Sequence, residues 1–158
     1  MSKLIINLAL FVFLIFFQTN SFGKENFYEK ALNLFKKEKY NEARFLFERN
    51  IVYNPKDANS YLYLAKIYNH EENQRKEEFN LETTLLIDPK NEEALLMLMK
   101  IALKKSNYNR VNELSETFAK VCINMCDENK EIQESLKNIE PENESWSKFR
   151  QNLNYRFW

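Results

Sequence analysis

The chain repeats itself at a fixed interval, and that interval limits the folds open to it. NPKDANSYLYLAKIYN begins at Asn54, and DPKNEEALLMLMKIAL begins at Asp88. Each opens with an amide or acidic residue, Pro, Lys, and Asp or Asn, then runs into an apolar segment. Pro55 and Pro89 stand 34 residues apart and are two of only three prolines. A period of this length marks a stacked array of small units rather than one closed core. Stepping by 34 carries Phe27 to Tyr61 and Leu95, Ala31 to Ala65 and Met99, and Leu34 to Tyr68 and Ala102. It also carries Ala43 to Glu77 and Val111, and Phe47 to Leu81 and Ser115. The first two units agree well, and the third decays toward its end.

Each unit divides into two helices. Apolar residues fall at 27, 31, 34 and 35 and again at 61, 64, 65 and 68, which is helical spacing. A polar break follows (KEKYN, HEENQ, KSNYN). The second helix carries Ala43, Phe47 and Ile51 in unit one and Leu81, Leu85 and Ile87 in unit two. Proline then ends it, because the ring removes a donor and biases the preceding residue away from the α region. Asp57 and Asn91 stand two residues past each proline, where an N-cap for the next helix belongs.

This pattern resembles the tetratricopeptide repeat: a bulky apolar residue, a small one four later, Ala early in the second helix and a terminal Pro. The resemblance covers residues 24–123 as three units, 24–57, 58–91 and 92–123. It implies an all-α fold, a right-handed α-solenoid of helix-turn-helix repeats. Glycine is missing where the family often has one, with Ala31 and Ala65 in its place. Glu77 replaces a small residue, which predicts a loosened helix contact inside unit two. Cys122-Ile123 stands where Asp-Pro would fall, so the array ends there.

Solenoids need a terminal cap with one polar face. Residues 124–141 supply a capping helix, with Ile132, Leu136 and Ile139 on one stripe, Asp127 as its N-cap and Pro141 as its stop. Cys122 and Cys126 flank the junction. In an oxidising compartment they form a disulfide; buried free thiols and redox or metal chemistry are the alternatives. The spacing is not C-x-x-C, and the only His, His70, lies in another repeat. The tail, residues 142–158, sets Trp146, Phe149 and Leu153 at helical spacing before Tyr155, Phe157 and Trp158. It either folds back on its own solenoid or is offered to a partner or another copy. Asn143-Glu144-Ser145 is a glycosylation sequon, meaningful only in a eukaryotic secretory route.

Residues 1–23 read as a cleaved signal peptide: Lys3, an apolar run from Leu4 to Phe17, then Ser21-Phe22-Gly23. Fourteen residues at ~1.5 Å each reach ~21 Å, short of a ~30 Å hydrocarbon core. The expectation is an exported protein, periplasmic if bacterial and otherwise secreted, touching a membrane only through an uncleaved signal.

With 23 basic and 23 acidic residues, no basic excess points to nucleic acid. One glycine, inside the signal, cannot build a phosphate loop. Adjacent carboxylates such as Glu71-Glu72 and Glu77-Glu78 point apart on a helix. His70 is a cation at a helix C-terminus. No catalytic, cofactor or metal residues are expected, and the protein is read as a non-enzyme.

What the resemblance implies about function is a concave groove lined by first helices. The expected lining is Tyr28, Leu32, Phe35, Leu62, Tyr63, Lys66, Leu96, Met97, Lys100 and Lys104. Chaperone-binding members hold a peptide's terminal carboxylate with a Lys, Asn and Arg clamp. The matching places here hold Tyr28, Leu32, Tyr63, Glu93 and Met97, so the clamp is absent. Tyr28, Leu62 and Leu96 are expected to form one exposed apolar strip. The expectation is a protein-protein interaction module, taking a peptide or partner helix in an apolar, aromatic groove with lysines toward unit three. The alternative is a self-assembling structural protein whose tail docks in a neighbouring copy.

Overall fold

A computed structural model describes residues 26–136. The signal segment, Ile139, Pro141, the sequon and the aromatic tail lie outside the described residues. Six helices run in order: α1 Phe27–Lys36, α2 Tyr40–Tyr53, α3 Ala58–His70, α4 Gln74–Ile87, α5 Glu92–Lys104 and α6 Tyr108–Val121. Residues 126–136 form the described part of a capping helix. Among the described residues, no helix is long and apolar enough to cross a membrane.

The 34-residue period reaches down to single backbone angles. Glu38, Glu72 and Ser106 all sit in the left-handed region, at φ 59°, 55° and 54°. Each closes the turn between the two helices of its repeat. Lys39 N–H bonds the Leu34 carbonyl, Asn73 N–H that of Tyr68 and Asn107 N–H that of Ala102. This six-residue closure normally takes glycine at its left-handed position. Here three non-glycine residues hold it.

Asn26, Asn73, Asn91 and Asn107 cap α1, α4, α5 and α6, each side chain accepting from the N–H three residues on. Asp57 departs from expectation. It stands at the start of α3 but makes no side-chain cap bond. Its carboxylate instead accepts from Asn50 Nδ2 at 2.6 Å and Ser60 Oγ at 2.7 Å, tying α2 to α3. Asp127 also departs. The capping helix is already running at residue 126, so Asp127 lies in its first turn and pairs with Lys130 at 2.7 Å.

The core has two clusters that share one helix. Ala31, Ala43, Phe47, Leu64, Ile67 and Tyr68 join α1, α2 and α3. Leu62 and Ala65, on the other side of α3, join Leu81, most of α5, Val111, Leu114 and Phe118 of α6, and Ile132 and Leu136 of the cap. Phe47 and Phe118 are fully buried. Burying each of these side chains contributes about 1.5–3 kcal/mol.

Glu77 occupies the buried position held by Ala43 and Val111 in the other repeats. It is only 5% exposed, and its carboxylate accepts from Asn69 Nδ2 at 2.8 Å. The loosening expected of unit two is not what the position shows: Glu77 bridges α4 back to α3. The charge still carries a penalty. Burial raises its pKa most; Asn69 and Lys104 oppose the rise, and Glu78 adds to it.

Neighbouring repeats are also tied by ion pairs at one repeated place. Arg44 of α2 meets Glu71 at 2.6 Å, and Glu78 of α4 meets Lys105. Both partners have moved by one period, and the signs are exchanged.

Candidate functional site

The first half of α3, the connection from Asp88 into the first turn of α5, and the turn after α6 surround a groove of about 400 Å³. Tyr28, Leu62, Tyr63 and Lys66 form its aromatic side. Asp88, Lys90, Asn91, Glu92 and Glu93 form the opposite side, with Asn59, Asn124 and Met125 at its ends.

The aromatic side is built from ring contacts across α1, α2 and α3. Tyr63 stacks on buried Phe47 at 5.3 Å and meets Phe35 edge-on at 5.0 Å. Tyr28 meets Tyr63 at 6.2 Å and Phe47 at 5.9 Å. Offset and edge contacts of this kind fix ring planes as well as burying area. Burial pushes the Tyr28 hydroxyl up to about 12, with Tyr63, Asp57 and Glu29 adding to it, so it stays a neutral donor. Lys66 Nζ lies 4.6 Å over the Tyr63 ring and pairs with Glu93 at 2.8 Å, joining α3 to α5 across the floor.

The far wall is held by one carboxylate. Glu92 accepts the N–H groups of Ile123 at 3.0 Å, Asn124 at 3.1 Å and Met125 at 2.9 Å. Desolvation pulls its carboxyl up, but the bonds from Met125, Ile123 and Asn124 outweigh this and hold it below the usual range. Beside this turn the structure pairs Cys122 with Cys126, Cα atoms 5.4 Å apart, a span that a disulfide fits.

Of the expected lining, the structure brings Tyr28, Leu62, Tyr63 and Lys66 together at this groove. Leu32 and Phe35 are half-buried on α1, Phe35 packing between Tyr40 and Tyr63. Leu96 is buried, Met97 packs half-buried against the larger cluster, and Lys100 and Lys104 are exposed on α5. None of these six lines the groove. The exposed apolar strip is corrected outright. Leu62 is 5% and Leu96 2% exposed, and both belong to the core. Leu62 reaches the groove only as part of its floor.

The electrostatic expectation also changes. Lys66 is engaged by Glu93, and the wall carries Asp88, Glu92 and Glu93 against Lys66 and Lys90. Asn59, Asn91, Asn124 and Met125 were not anticipated. Asn59 and Asn91 follow the two repeated prolines by four and two residues, so the punctuation itself was the available signal. Asn124 and Met125 arrive only through the Glu92 contact, which no local pattern encodes. Among the described residues, no three His, Cys, Asp or Glu are grouped to hold a metal ion.

Solved structures share this arrangement of helices. The type III secretion chaperone SycD of Yersinia enterocolitica, solved with a peptide of the translocator YopD, superposes with a TM-score of 0.65. Identity is 16%, over 80% of this chain and 98% of that one. The Sgt2 TPR domain from Aspergillus fumigatus gives 0.61 at 14% identity, over 74% and 81%. The first TPR of Spaghetti (RPAP3), bound to the HSP90 peptide SRMEEVD, gives 0.59 at 15% identity, over 70% and 90%. The fold is that of a tetratricopeptide solenoid. Neither a family model nor a curated protein sequence matches the chain. Within this solenoid, the groove lies where the first helices of repeats two and three meet the turn leading to the cap.

Proposed function

We propose that this protein is a non-catalytic adaptor that holds a segment of a partner protein in the groove beside Tyr28 and Tyr63. The observation that carries the reading is the pairing of a ring-locked apolar wall with the exposed amide of Asn59. Asn59 is exposed, and its amide offers both a donor and an acceptor, as a peptide backbone requires. Tyr28 and Tyr63 offer a fixed surface to one apolar side chain. Asp88, Glu92 and Glu93 against Lys66 and Lys90 leave the lining one net negative charge, which favours a neutral or basic ligand over an acidic one. SycD and the Spaghetti TPR, which share the fold, were both solved with bound peptides.

The setting belongs to the same proposal. The protein is exported through cleavage near Lys24, and Cys122–Cys126 is oxidised where it works. Mass spectrometry of native protein is expected to find an N-terminus within a few residues of Lys24 and blocked thiols. Intact Met1 and freely labelled cysteines would remove that setting.

Peptide display on the full protein tests the groove. Asn59→Trp fills it from an exposed position, so thermal stability is expected to hold while selected peptides lose about 1–2 kcal/mol or more of binding. Peptides that bind the variant unchanged would place the interaction elsewhere.

A further inference from the structure

An exposed apolar pattern outside the groove also keeps the 34-residue period. Phe45 and Val52 of α2 are 60% and 77% exposed, and Phe79 and Leu86 of α4 are 65% and 83% exposed. Phe79 is Phe45 one period on, and Leu86 is Val52 one period on. On each helix the two residues are seven apart, hence on one face. A glutamate lies between them in both cases, Glu48 and Glu82. In the third repeat the apolar places hold Glu113 and Lys120. Packing inside the solenoid does not require these side chains, because they are not in its core.

Four of the basic groups near this face are turned to other tasks, while Arg75, one turn before Phe79, is exposed at its end. Arg44 pairs with Glu71, Lys105 with Glu78, and Arg49 and Lys76 lie over the Phe27 and Tyr68 rings. Glu48 accepts only the Tyr68 hydroxyl, at 3.2 Å, and Glu82 has no ion-pair partner among the described residues. The face therefore asks for an apolar stripe of period seven with a cation in its middle.

The chain carries that complement itself. Trp146, Arg150 and Leu153 fall at i, i+4 and i+7, with Phe149 beside them. From Trp146 to Trp158 there are three basic residues, Lys148, Arg150 and Arg156, and no acidic side chain. The residues between Leu136 and Trp146 span up to ~30 Å when extended. Helix axes pack 8–10 Å apart, so α4 is within reach of the cap's own end. Tethering gives an effective concentration on the order of millimolar, so a weak contact suffices.

We propose that the segment around Trp146–Leu153 docks in cis across α2 and α4, with Arg150 between Glu48 and Glu82. The groove is left open to a partner, and the inference stands independently of what the groove binds.

The two tryptophans of the chain are Trp146, in this segment, and Trp158, five residues beyond it, so in a Trp158→Phe background indole fluorescence reports on the segment alone. In the full-length protein the expected emission is blue-shifted and shielded from acrylamide, independent of concentration. Phe79→Ser with Leu86→Ser should abolish the shielding at unchanged melting temperature, since both positions are exposed. Arg150→Glu should reduce it, and Glu48→Lys with Glu82→Lys should restore it in that background. Emission of fully exposed indole in the parent protein would overturn the proposal. So would shielding that survives the double serine variant. Shielding lost on Lys66→Glu instead would put the segment in the groove, and shielding lost on dilution would put it on a second copy; either result overturns cis docking here.

Discussion

Single carboxylates in this molecule have opposite pH signatures, and Glu77 and Glu92 are one of each kind. Burial raises the Glu77 pKa in the folded chain. The folded state therefore binds the proton more tightly than the unfolded one. Stability contributed by this group falls as pH rises from the unfolded carboxylate value, about 4.3, through the raised folded one. Glu92 runs the other way. Its bonds to the 123–125 turn hold the folded pKa down, so its contribution is present above the unfolded value and lost as pH falls through the folded one. Glu77→Gln keeps the acceptor for Asn69 and removes the buried charge. It is expected to raise the urea midpoint at neutral pH and leave it nearly unchanged below pH ~4. A variant less stable than the parent at both pH values would show that the carboxylate is a net stabiliser there.

At the scale of elements, the repeats can be compared with one another as internal controls. Asn73 and Asn107 cap α4 and α6, while the equivalent place before α2 is Lys39, with no side-chain cap bond. Its backbone angles, φ −83° and ψ 63°, are close to those of Asn73, −90° and 72°. Lys39→Asn needs no backbone change and gives up only an exposed pair with Glu42. A gain of about 1 kcal/mol in chemical unfolding is expected; no gain would mean that the α2 N-terminus is already satisfied by water. Helix positions, turns and proline stops were legible in the sequence because each is a local rule repeated at 34. The groove was only half legible, for a physical reason. α3 and α5 are covered on two sides and carry buried residues around most of their circumference. Helical spacing then cannot separate the open face from the packed ones, so Leu62 and Leu96 read as groove although they are core. The Glu92 clamp spans 31–33 residues between partners, beyond any periodic pattern.

For the whole molecule, the division of the core decides how stability is distributed. Phe47 lies in the cluster of α1, α2 and α3, Phe118 in the cluster running from α3 to the cap. Either residue cut to Ala is expected to cost about 3–5 kcal/mol. In native-state hydrogen exchange, Phe47→Ala should lower protection mainly in α1 and α2, and Phe118→Ala mainly in α5, α6 and the cap. Uniform loss over all helices in both variants would show a single cooperative unit.

α3 belongs to both clusters, and this bears on where the chain can be cut. The repeat boundary in sequence falls just before α3, yet a fragment ending at residue 57 lacks Leu64, Ile67 and Tyr68, the wall against which Phe47 is packed. A fragment ending at residue 70 retains that wall. It exposes only Leu62 and Ala65 from the shared helix. The first repeat read from the sequence thus ends one helix short of the unit that keeps its packing. A graft of the first repeat should therefore run on through α3 to residue 70 rather than stop at Pro55.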